Sequence, residues 1–440
     1  MRSIGLDVHK RLAEVAIIEG KGPPVRRRIG TSPAELAAFA RTLRADDQVI
    51  LEATMNTWAI AAALQESGAR VVVSNPLRTK AIAEAKVKTD KVDALTLAQL
   101  LQADFVAEVW IPDEDTRRLR REVATRAALV RQRTQVRNRI HSVLHRCLEQ
   151  APTTDLFGAV GRKWLDDLAL REDERGQVDA ALRVHDAIEG EIALVEQRLA
   201  KVALADERVE RLMTIPGTGA AVALSLVAVI GDVQRFRRPA KLVSYLGLDP
   251  RVHQSGDRPA RTGSISRAGH AHARSLLIEA ARAAVGTPGP LRAFFRRVER
   301  RRGTQIALVA VARKLVVLTW HVLSSGARYR LERPTIMHEK RRMLERRVGI
   351  PASGRRARPR RGELTIAERK QREFAALFEA EAAYQAEVSI RTSRDAAAAN
   401  VEATAWPSKG RDARRSSHPL RSALLTGSTA SERGGYASGS

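Results

Sequence analysis

The chain has 440 residues, 44% of them hydrophobic, which is enough for two or three domains with buried cores. Lysine and arginine number 76 against 50 aspartate and glutamate residues, and the resulting net charge of +26 favours a polyanionic partner. The single cysteine, Cys147, excludes a disulfide framework and a cysteine-rich zinc site. The start of the chain has no apolar signal-peptide core, and Arg313 and Lys314 interrupt the most apolar segment, 306–323. We therefore expect a cytoplasmic protein with no membrane span.

The positive charge is unevenly distributed along the chain. Residues 1–100 hold 15 basic and 11 acidic residues, a net of +4, so the other 340 residues hold +22 of the total. This distribution is typical of a catalytic domain followed by a region that binds nucleic-acid backbones. Charge alone equally fits a ribosomal-type or merely soluble basic protein.

Short apolar runs bounded by turn residues predict five strands and two helices in the first hundred residues. Strands are predicted at 3–8, 12–18, 25–29, 48–52 and 70–74, and helices at 32–44 and 57–66. Three strands precede the first helix, and an ordinary doubly wound sheet would not open with such a meander. The order predicts an α/β domain of the RuvC or ribonuclease-H-like kind over residues 1–110.

Two long helices are predicted in the middle region, 111–206. The first has ten arginines and one acid between Arg117 and Arg146, which suits a phosphate track, although a solvated helix face has the same composition. The second covers about 178–203, and its apolar residues recur at alternating spacings of three and four, with His185 as the one polar member. That spacing predicts a coiled-coil seam, whose partner is either the arginine-rich helix or another subunit.

The remaining chain divides into a helical region, 207–332, and a basic tail, 333–440. In the first, a Gly-rich turn at 215–219 enters an apolar helix, as in a helix-hairpin-helix or a plain interhelical turn. Further helices are predicted near 239–247, 269–285 and 304–325, with a polar loop at 249–266. The tail is low in large apolar residues, so we expect one helix near 367–388 and disorder in most of the rest.

Four acidic residues in the first hundred have positions that favour a metal site. Asp7 lies within the first strand, Glu52 ends the fourth, and Asp90 and Asp93 share one face of a predicted helix. The first and fourth strands are neighbours in a ribonuclease-H-like sheet, so these carboxylates would converge. Oxygen ligands suit Mg²⁺ or Mn²⁺, and paired ions of this kind support phosphodiester displacement. Structural ion pairs with nearby lysines are the alternative.

The segments GLDVHK, LEATMNTW and SNPLRTKAIAEAKVKTDKVDALTLAQLL resemble the N-terminal domain of the insertion sequence 110/116/902 transposases, also called DEDD transposases or bridge-RNA-guided recombinases. The segment from LMTIPGTG to LLIEAAR resembles their C-terminal domain. The resemblance covers about residues 3–330 and leaves a tail of about 110 residues unmatched. It implies a transposase acting at the nucleoid.

The resemblance also implies roles for individual residues and partners. Asp7, Glu52, Asp90 and Asp93 match the family's metal-binding acids, and Ser255 matches the serine that becomes covalently linked to DNA. Donor and target DNA, a structured guide RNA and a homo-oligomer, dimer or tetramer, would be the partners, and the two long helices would mediate dimerisation. The arginines expected to contact nucleic acid are Arg117, Arg120, Arg131, Arg137, Arg258, Arg261 and Arg267.

Alternatives remain for both the nucleophile and the activity. Ser264 and Ser266 lie close to Ser255, although Ser266 is predicted to cap the helix that begins near Gly269. A RuvC-type junction-resolving endonuclease would share the acids but use water as its nucleophile. A non-enzymatic nucleic-acid-binding protein would explain the charge and leave Asp7 in a strand unexplained.

Overall fold

The computed structural model describes residues 1–82, 89–256, 259–351 and 364–404. Residues 1–381 form one compact unit. A second unit begins at Ala382, and its described part is the end of a long helix. The basic stretch 354–362 and residues 405–440 lie outside the described residues. The described residues form a mixed α/β sheet region followed by a mostly helical region.

The N-terminal region is built on a six-stranded sheet with the order β3-β2-β1-β4-β5-β6. Its strands are β1 (Arg2–Val8), β2 (Leu12–Glu19), β3 (Val25–Gly30), β4 (Gln48–Glu52), β5 (Arg70–Ser74) and β6 (Glu108–Val109). β1 pairs antiparallel with β2 and parallel with β4, and β4 pairs parallel with β5. The five predicted strands and the neighbouring positions of the first and fourth are confirmed. The two-residue β6 was not predicted.

Four helices pack against this sheet. Successive side chains of each strand point to opposite faces, and this determines which helix each residue contacts. They are α1 (Pro33–Ala40), α2 (Thr57–Gln65), α3 (Pro76–Ile82) and α4 (Asp90–Gln102). Ile4 and Leu6 point into a core shared with α1 and α2, so Gly5 and Asp7 point to the opposite face, which α4 covers. A Cβ on Gly5 would lie 2.1 Å from the carbonyl oxygen of Ala94, so only glycine permits this close approach of α4.

A helical arm follows the sheet region. It consists of α5 (Glu114–Arg146), α6 (Ala159–Asp167) and α7 (Glu172–Ala205). α5 begins after Asp113, whose carboxylate accepts a hydrogen bond from the Thr116 backbone nitrogen at 2.7 Å. α5 and α7 pack against each other along much of their length, and Arg126 of α5 pairs with Glu196 of α7. Within this chain, therefore, the partner of the predicted seam is the arginine-rich helix.

The buried residues of α7 follow most of the predicted seam. The buried members are Val178, His185, Ile192, Val195 and Leu199, whereas the seam residue Val202 is exposed and Leu182, outside the predicted seam, is buried. At the far end of the arm His185 stacks on Phe157, with ring centroids 4.9 Å apart, and its Nδ1 lies 3.0 Å from an Asp186 carboxylate oxygen. The polar member of the seam is buried because it has both an aromatic and a hydrogen-bonding partner.

The C-terminal region is a helical bundle with a small hairpin. Its elements are α8 (Glu207–Met213), α9 (Ala220–Ile230), α10 (Pro239–Tyr245), β7 (Pro250–His253), β8 (Arg261–Ile265), α11 (Ala271–Val285), α12 (Pro290–Arg302) and α13 (Thr304–Ser325). The region 249–266, predicted to be a polar loop, contains the antiparallel β7–β8 pair instead. Its side chains are largely exposed and polar, so it lacks the apolar alternation on which strand prediction depends.

Among the described helices, α13 alone is long and apolar enough to cross a membrane. Its apolar residues, including Ala312, Leu315 and Val316, are buried in the core shared by α8, α9, α10 and α11. Arg313 and Lys314 of the same helix are exposed. These contacts agree with the prediction of a core helix.

The region beyond residue 332 differs from the prediction of a mostly disordered tail. α14 (Pro334–Arg347) was not predicted, and it packs against α7 and buries Met337 and Leu344. α15 (Ile366–Thr404) extends the one helix that was predicted, and within the first unit its buried Glu381 pairs with Arg292 of α12. The basic composition hid α14, because two buried apolar residues among seven charged ones give a weak helical period.

Candidate active site

The carboxyl ends of β1 and β4 place two of the four predicted acids side by side. Leu6 of β1 pairs in register with Leu51 of β4, so the next residues, Asp7 and Glu52, occupy corresponding positions on adjacent strands. Glu52 in turn pairs with Ser74 of β5. Paired residues of a parallel sheet point to the same face, and that face is the one covered by α4. The row Asp7–Glu52–Ser74 therefore runs across the sheet beneath the start of α4.

The start of α4 brings Asp90 and Asp93 to this row. Thr89 caps the helix by accepting a hydrogen bond from the Val92 backbone nitrogen, so both acids lie in its first turn. The imidazole Nε2 of His9 lies 3.3 Å from an Asp7 carboxylate oxygen and 3.1 Å from an Asp90 carboxylate oxygen. Asp7, His9 and Asp90 each offer a ligand atom, and these atoms all lie within 4.8 Å of one another.

The electrostatics of Asp7 show that the group is short of positive charge. Burial raises the pKa of the Asp7 carboxyl, and the negative charges of Asp90 and Asp93 raise it further, against the lowering effect of His9. Glu14, which pairs with Asp7 across β1 and β2, is also buried but has Arg28 as an ion-pair partner. The acidic group thus lies where a cation would relieve both desolvation and like-charge repulsion.

The chemistry of the donor set fits a divalent cation. The ligand group contains the carboxylates of Asp7 and Asp90 and the imidazole of His9, with Glu52 and Asp93 outside it, and hard oxygen donors favour Mg²⁺ or Mn²⁺. Ser74 adds a further polar atom in the same row. Its hydroxyl is fully buried and has no hydrogen-bond partner among the described residues. A buried polar atom without a partner is uncommon, and a ligand at the site would supply one.

His9 and Ser74 were missed by the sequence analysis, although both leave a signal. His9 follows Asp7 by two residues, the spacing that brings two side chains to one face of an extended chain. Ser74 ends β5 as Glu52 ends β4, so the two parallel strands share that edge. Reading the strand ends together, and not only the acids, would have found both.

Ser255 lies between β7 and β8, in the hairpin of the C-terminal region. Its side chain is exposed, and Gly256 after it has a φ of +56°, which favours glycine. Ser264 is also exposed, on β8. Ser266 instead donates a hydrogen bond to Asp249 at 2.6 Å and holds the base of the hairpin. The predicted capping role of Ser266 is therefore wrong: α11 has His270 at its N-cap.

Three of the seven arginines predicted to contact nucleic acid are engaged within the protein. Arg117 donates a hydrogen bond to the Trp58 carbonyl oxygen at 3.1 Å and lies 3.0 Å from Glu114. Arg137 pairs with Glu189, donates to His185 and lies over the Phe157 ring. Both guanidiniums therefore have partners within the chain, through the packing of α5 against its neighbours. Their contact with nucleic acid stays a prediction.

Arg120 is the third of these arginines, and its guanidinium caps the C-terminal end of α9. It donates to the carbonyl oxygens of Ala228 and Val229, at 2.7 and 3.1 Å, in the last turn of α9. Arg235 donates to the next carbonyl, that of Ile230, at 3.0 Å, and both guanidiniums lie over the Trp110 ring. Unsatisfied carbonyls and the negative helix end favour cations there, so Arg120 has a structural role.

The other predicted arginines keep accessible side chains or cannot be described. Arg131, Arg261 and Arg267 are exposed, and Arg267 has a left-handed φ of +57°. Arg258 lies outside the described residues. The exposed arginines nearest in sequence to Ser255 are thus compatible with a phosphate beside the β7–β8 hairpin.

Comparison with known proteins places both halves of the chain in one group of enzymes. A DEDD transposase model of the IS110 type matches residues 4–148, which include the sheet and the acidic group. The model described as "Transposase IS116/IS110/IS902 family" matches residues 209–296, which include the β7–β8 hairpin. The protein is therefore a transposase, an enzyme that cleaves and rejoins DNA strands.

Individual relatives agree with this assignment. The chain is 30% identical to the transposase for insertion sequence element IS1111A of Coxiella burnetii, over 55% of this chain and 68% of the relative. It is 26% identical to a probable family 20 transposase of Pseudomonas aeruginosa, over 74% and 98%. A pilin gene-inverting protein of Moraxella lacunata is 28% identical over 58% and 72%. The chain belongs to the IS116/IS110/IS902 transposase family.

Proposed function

We propose that the acidic group at the carboxyl ends of β1 and β4 is the catalytic centre of a metal-dependent DNA recombinase. The observation that carries this proposal is the row of Asp7 and Glu52 beneath the first turn of α4, with His9 bridging Asp7 and Asp90. The strand order supports a RuvC or ribonuclease-H-like assignment for residues 1–110. Bound Mg²⁺ or Mn²⁺ would stabilise the charge that develops on phosphate oxygens during cleavage.

Within this proposal Ser255 is the nucleophile. Its hydroxyl oxygen attacks the phosphorus of a DNA phosphodiester, the new Oγ–P bond forms, and the bond to one deoxyribose oxygen breaks. The serine proton passes to a base, and the departing oxygen takes up a proton. Attack by a second deoxyribose hydroxyl on the phosphoserine reverses these bond changes and joins new strands. Arg261 and Arg267 are exposed near this serine in sequence and would neutralise the phosphate.

The organisation of the chain supports a division of labour. Residues 1–110 would supply the acids, 111–206 the helical linker and oligomer contacts, and 207–332 the serine. A structured guide RNA would pair with donor and target DNA, so that the protein need only hold nucleic-acid backbones. The large positive charge outside the first hundred residues supports this part of the proposal.

The nucleophile is tested by searching for a denaturation-resistant protein–DNA adduct. Ser255→Ala should retain DNA binding and lose both recombination and the adduct, because no oxygen remains to bond phosphorus. Ser264→Ala, an equally exposed serine on β8, is the matched control and should lose neither. An adduct with Ser255→Ala would place the nucleophile elsewhere. Strand cleavage by the wild type without any adduct would favour a junction nuclease that uses water.

The acidic centre is tested by removing single carboxylates. Asp7→Asn and Asp93→Asn should lower the rate of strand cleavage by at least about a hundredfold, because transition-state charge stabilisation is lost, while leaving DNA binding nearly unchanged. Asp46→Asn is the control, since Asp46 is exposed and precedes β4, at the opposite end of that strand. Normal cleavage by either site variant would exclude this centre.

The RNA partner is tested by purification of the full chain without nuclease treatment. Sequencing of the bound RNA should recover one structured species, enriched over the abundant cellular transcripts. RNA that reflects only the abundant cellular transcripts would contradict the guide-RNA part of the proposal, while leaving the serine and metal tests unaffected.

A further inference from the structure

A second basic surface lies away from the acidic group, on the hairpin formed by α12 and α13. Its seven cations are Arg296, Arg297, Arg300, Arg301, Arg302, Arg313 and Lys314, which we call the α12–α13 basic face. All except Arg297 have exposed side chains. The two helices pack closely and are joined at Gly303.

The cations of the two helices converge on one aromatic ring. The guanidinium carbon of Arg297 lies 5.5 Å from the centre of the Phe294 ring, and the Lys314 ammonium nitrogen lies 5.6 Å from the same centre. Phe294 therefore holds a cation from each helix over one short stretch of surface. From Phe294 to Arg302 the helix rises about 12 Å, so the face is a compact strip.

Negative charge is sparse around this strip, where Glu381 is near Arg296 at one end. Glu299 is the one acid between residues 290 and 325, and its carboxylate accepts a hydrogen bond from the Thr304 hydroxyl. In the described part of the chain none of the seven cations forms an ion pair. The neighbouring Arg292, by contrast, is paired with Glu381. Elsewhere on this protein exposed arginines commonly have an acidic partner, as Arg118 and Arg121 do.

Helix capping explains only part of this arrangement. Arg300, Arg301 and Arg302 occupy the last turn of α12, where cations are favoured by the negative helix end. Arg313 and Lys314 lie in the middle of α13, where that effect has faded. Like charges on successive turns of a helix repel one another, and a polyanion would remove that repulsion.

We propose that the α12–α13 basic face binds the phosphate backbone of duplex DNA, as an anchoring site separate from the cleavage centre. The face offers positive charge on long flexible side chains, which phosphates neutralise, so we assign the contact to backbone phosphates and expect it to be independent of sequence. Six of its seven cations lie beyond residue 296, where the match to the family model ends. The proposal rests on the transposase assignment, but it does not depend on which group is the nucleophile.

The test measures how the affinity for duplex DNA depends on salt. A full-length variant with Arg300, Arg301, Arg313 and Lys314 each changed to Gln is compared with the wild type on a 30-base-pair duplex, without divalent metal, over a range of NaCl concentrations. Each lost phosphate contact lowers the slope of log K against log [NaCl] by about 0.9, so four lost contacts lower it by about 3.6. We expect at least a tenfold loss of affinity at about 0.1 M NaCl, because fewer phosphates are neutralised and fewer counterions are released.

Two further variants separate this site from charge and folding effects. A matched control changes Arg44, Arg70, Arg171 and Arg198 to Gln, which removes the same charge from exposed arginines that have acidic partners. Its slope should stay near the wild-type value. A variant with Arg300→Lys, Arg301→Lys and Arg313→Lys keeps the charge of the face and should keep the slope. Either an unchanged slope in the four-Gln variant or an equal fall in the control would overturn the proposal.

Two additional measurements distinguish DNA anchoring at this face from guide-RNA binding and from the proposed cleavage centre. If the four-Gln variant lost affinity for a guide RNA but kept the duplex DNA slope, the assignment of DNA as the ligand would be wrong. Asp7→Asn, which addresses the proposed cleavage centre, should keep the wild-type slope. Normal cleavage by Asp7→Asn would therefore contradict the cleavage proposal and leave the anchoring site standing, whereas an unchanged salt slope in the four-Gln variant would contradict the anchoring site and leave the cleavage proposal standing.

Discussion

Leu344 provides a direct test of whether α14 is part of the folded protein. Its side chain is 4% exposed and belongs to the large C-terminal core, on a helix that packs against α7. Replacing a buried leucine by alanine removes its transfer free energy and leaves a cavity, together about 3 kcal/mol. In a unit of this size we expect Leu344→Ala to lower the melting temperature by about 4 °C.

The neighbouring Met343 supplies a matched control on the same helix. Its side chain is 51% exposed, so Met343→Ala should change the stability by less than about 0.5 kcal/mol. Scanning calorimetry of the full-length variants measures both values. Equal melting temperatures for the two variants would refute the docking of α14. Deletion of residues 341–440 removes Leu344 and should therefore destabilise the remainder, whereas deletion of a disordered tail would leave its stability unchanged.

Two other predictions concern the C-terminal region. Burial and neighbouring arginines lower the pKa of His270 from 6.5 to about 4, so the unfolded chain binds a proton at a higher pH than the folded chain does. The stability present above pH 6.5 should therefore fall by about 3 kcal/mol as the pH is lowered toward 4. Urea titrations should show a flatter pH profile for His270→Gln. Gly231 has a φ of +60°, and a Cβ there would lie 2.1 Å from the Trp110 ring, so Gly231→Ala should cost about 3 kcal/mol. At Gly326, with a φ of +68° and its nearest neighbour 3.9 Å away, alanine should cost less in the same urea assay.

The sheet could be predicted because the apolar segments of the sequence are also the strands that are buried in the folded protein. Each of β1, β2, β4 and β5 is a short apolar run between turn residues, and the meander before the first helix leaves few possible strand orders. Asp7 and Glu52 could be placed for the same reason, since the position of a residue within a strand is fixed once neighbouring strands are known.

The fates of the arginines could not be predicted, because they depend on packing between distant segments. Arg120 and Arg131 lie in the same helix and have the same local composition, yet one closes α9, more than a hundred residues away, and the other is exposed. α14 escaped prediction on similar grounds. Its buried residues become recognisable only once α7 offers a surface for them.

The two ends of the helical arm belong to separate apolar cores, so their contributions to stability are independent. α5 has 33 residues and is about 50 Å long, and the apolar cluster around α6 at its far end, which includes Leu165, is distinct from the core that contains Leu242. Substitutions at sites so far apart contribute additively to stability, so Leu165→Ala and Leu242→Ala should show no coupling in a double-mutant cycle. The far end of the arm can therefore change its sequence and its local opening equilibrium without altering the stability of the region that carries the β7–β8 hairpin.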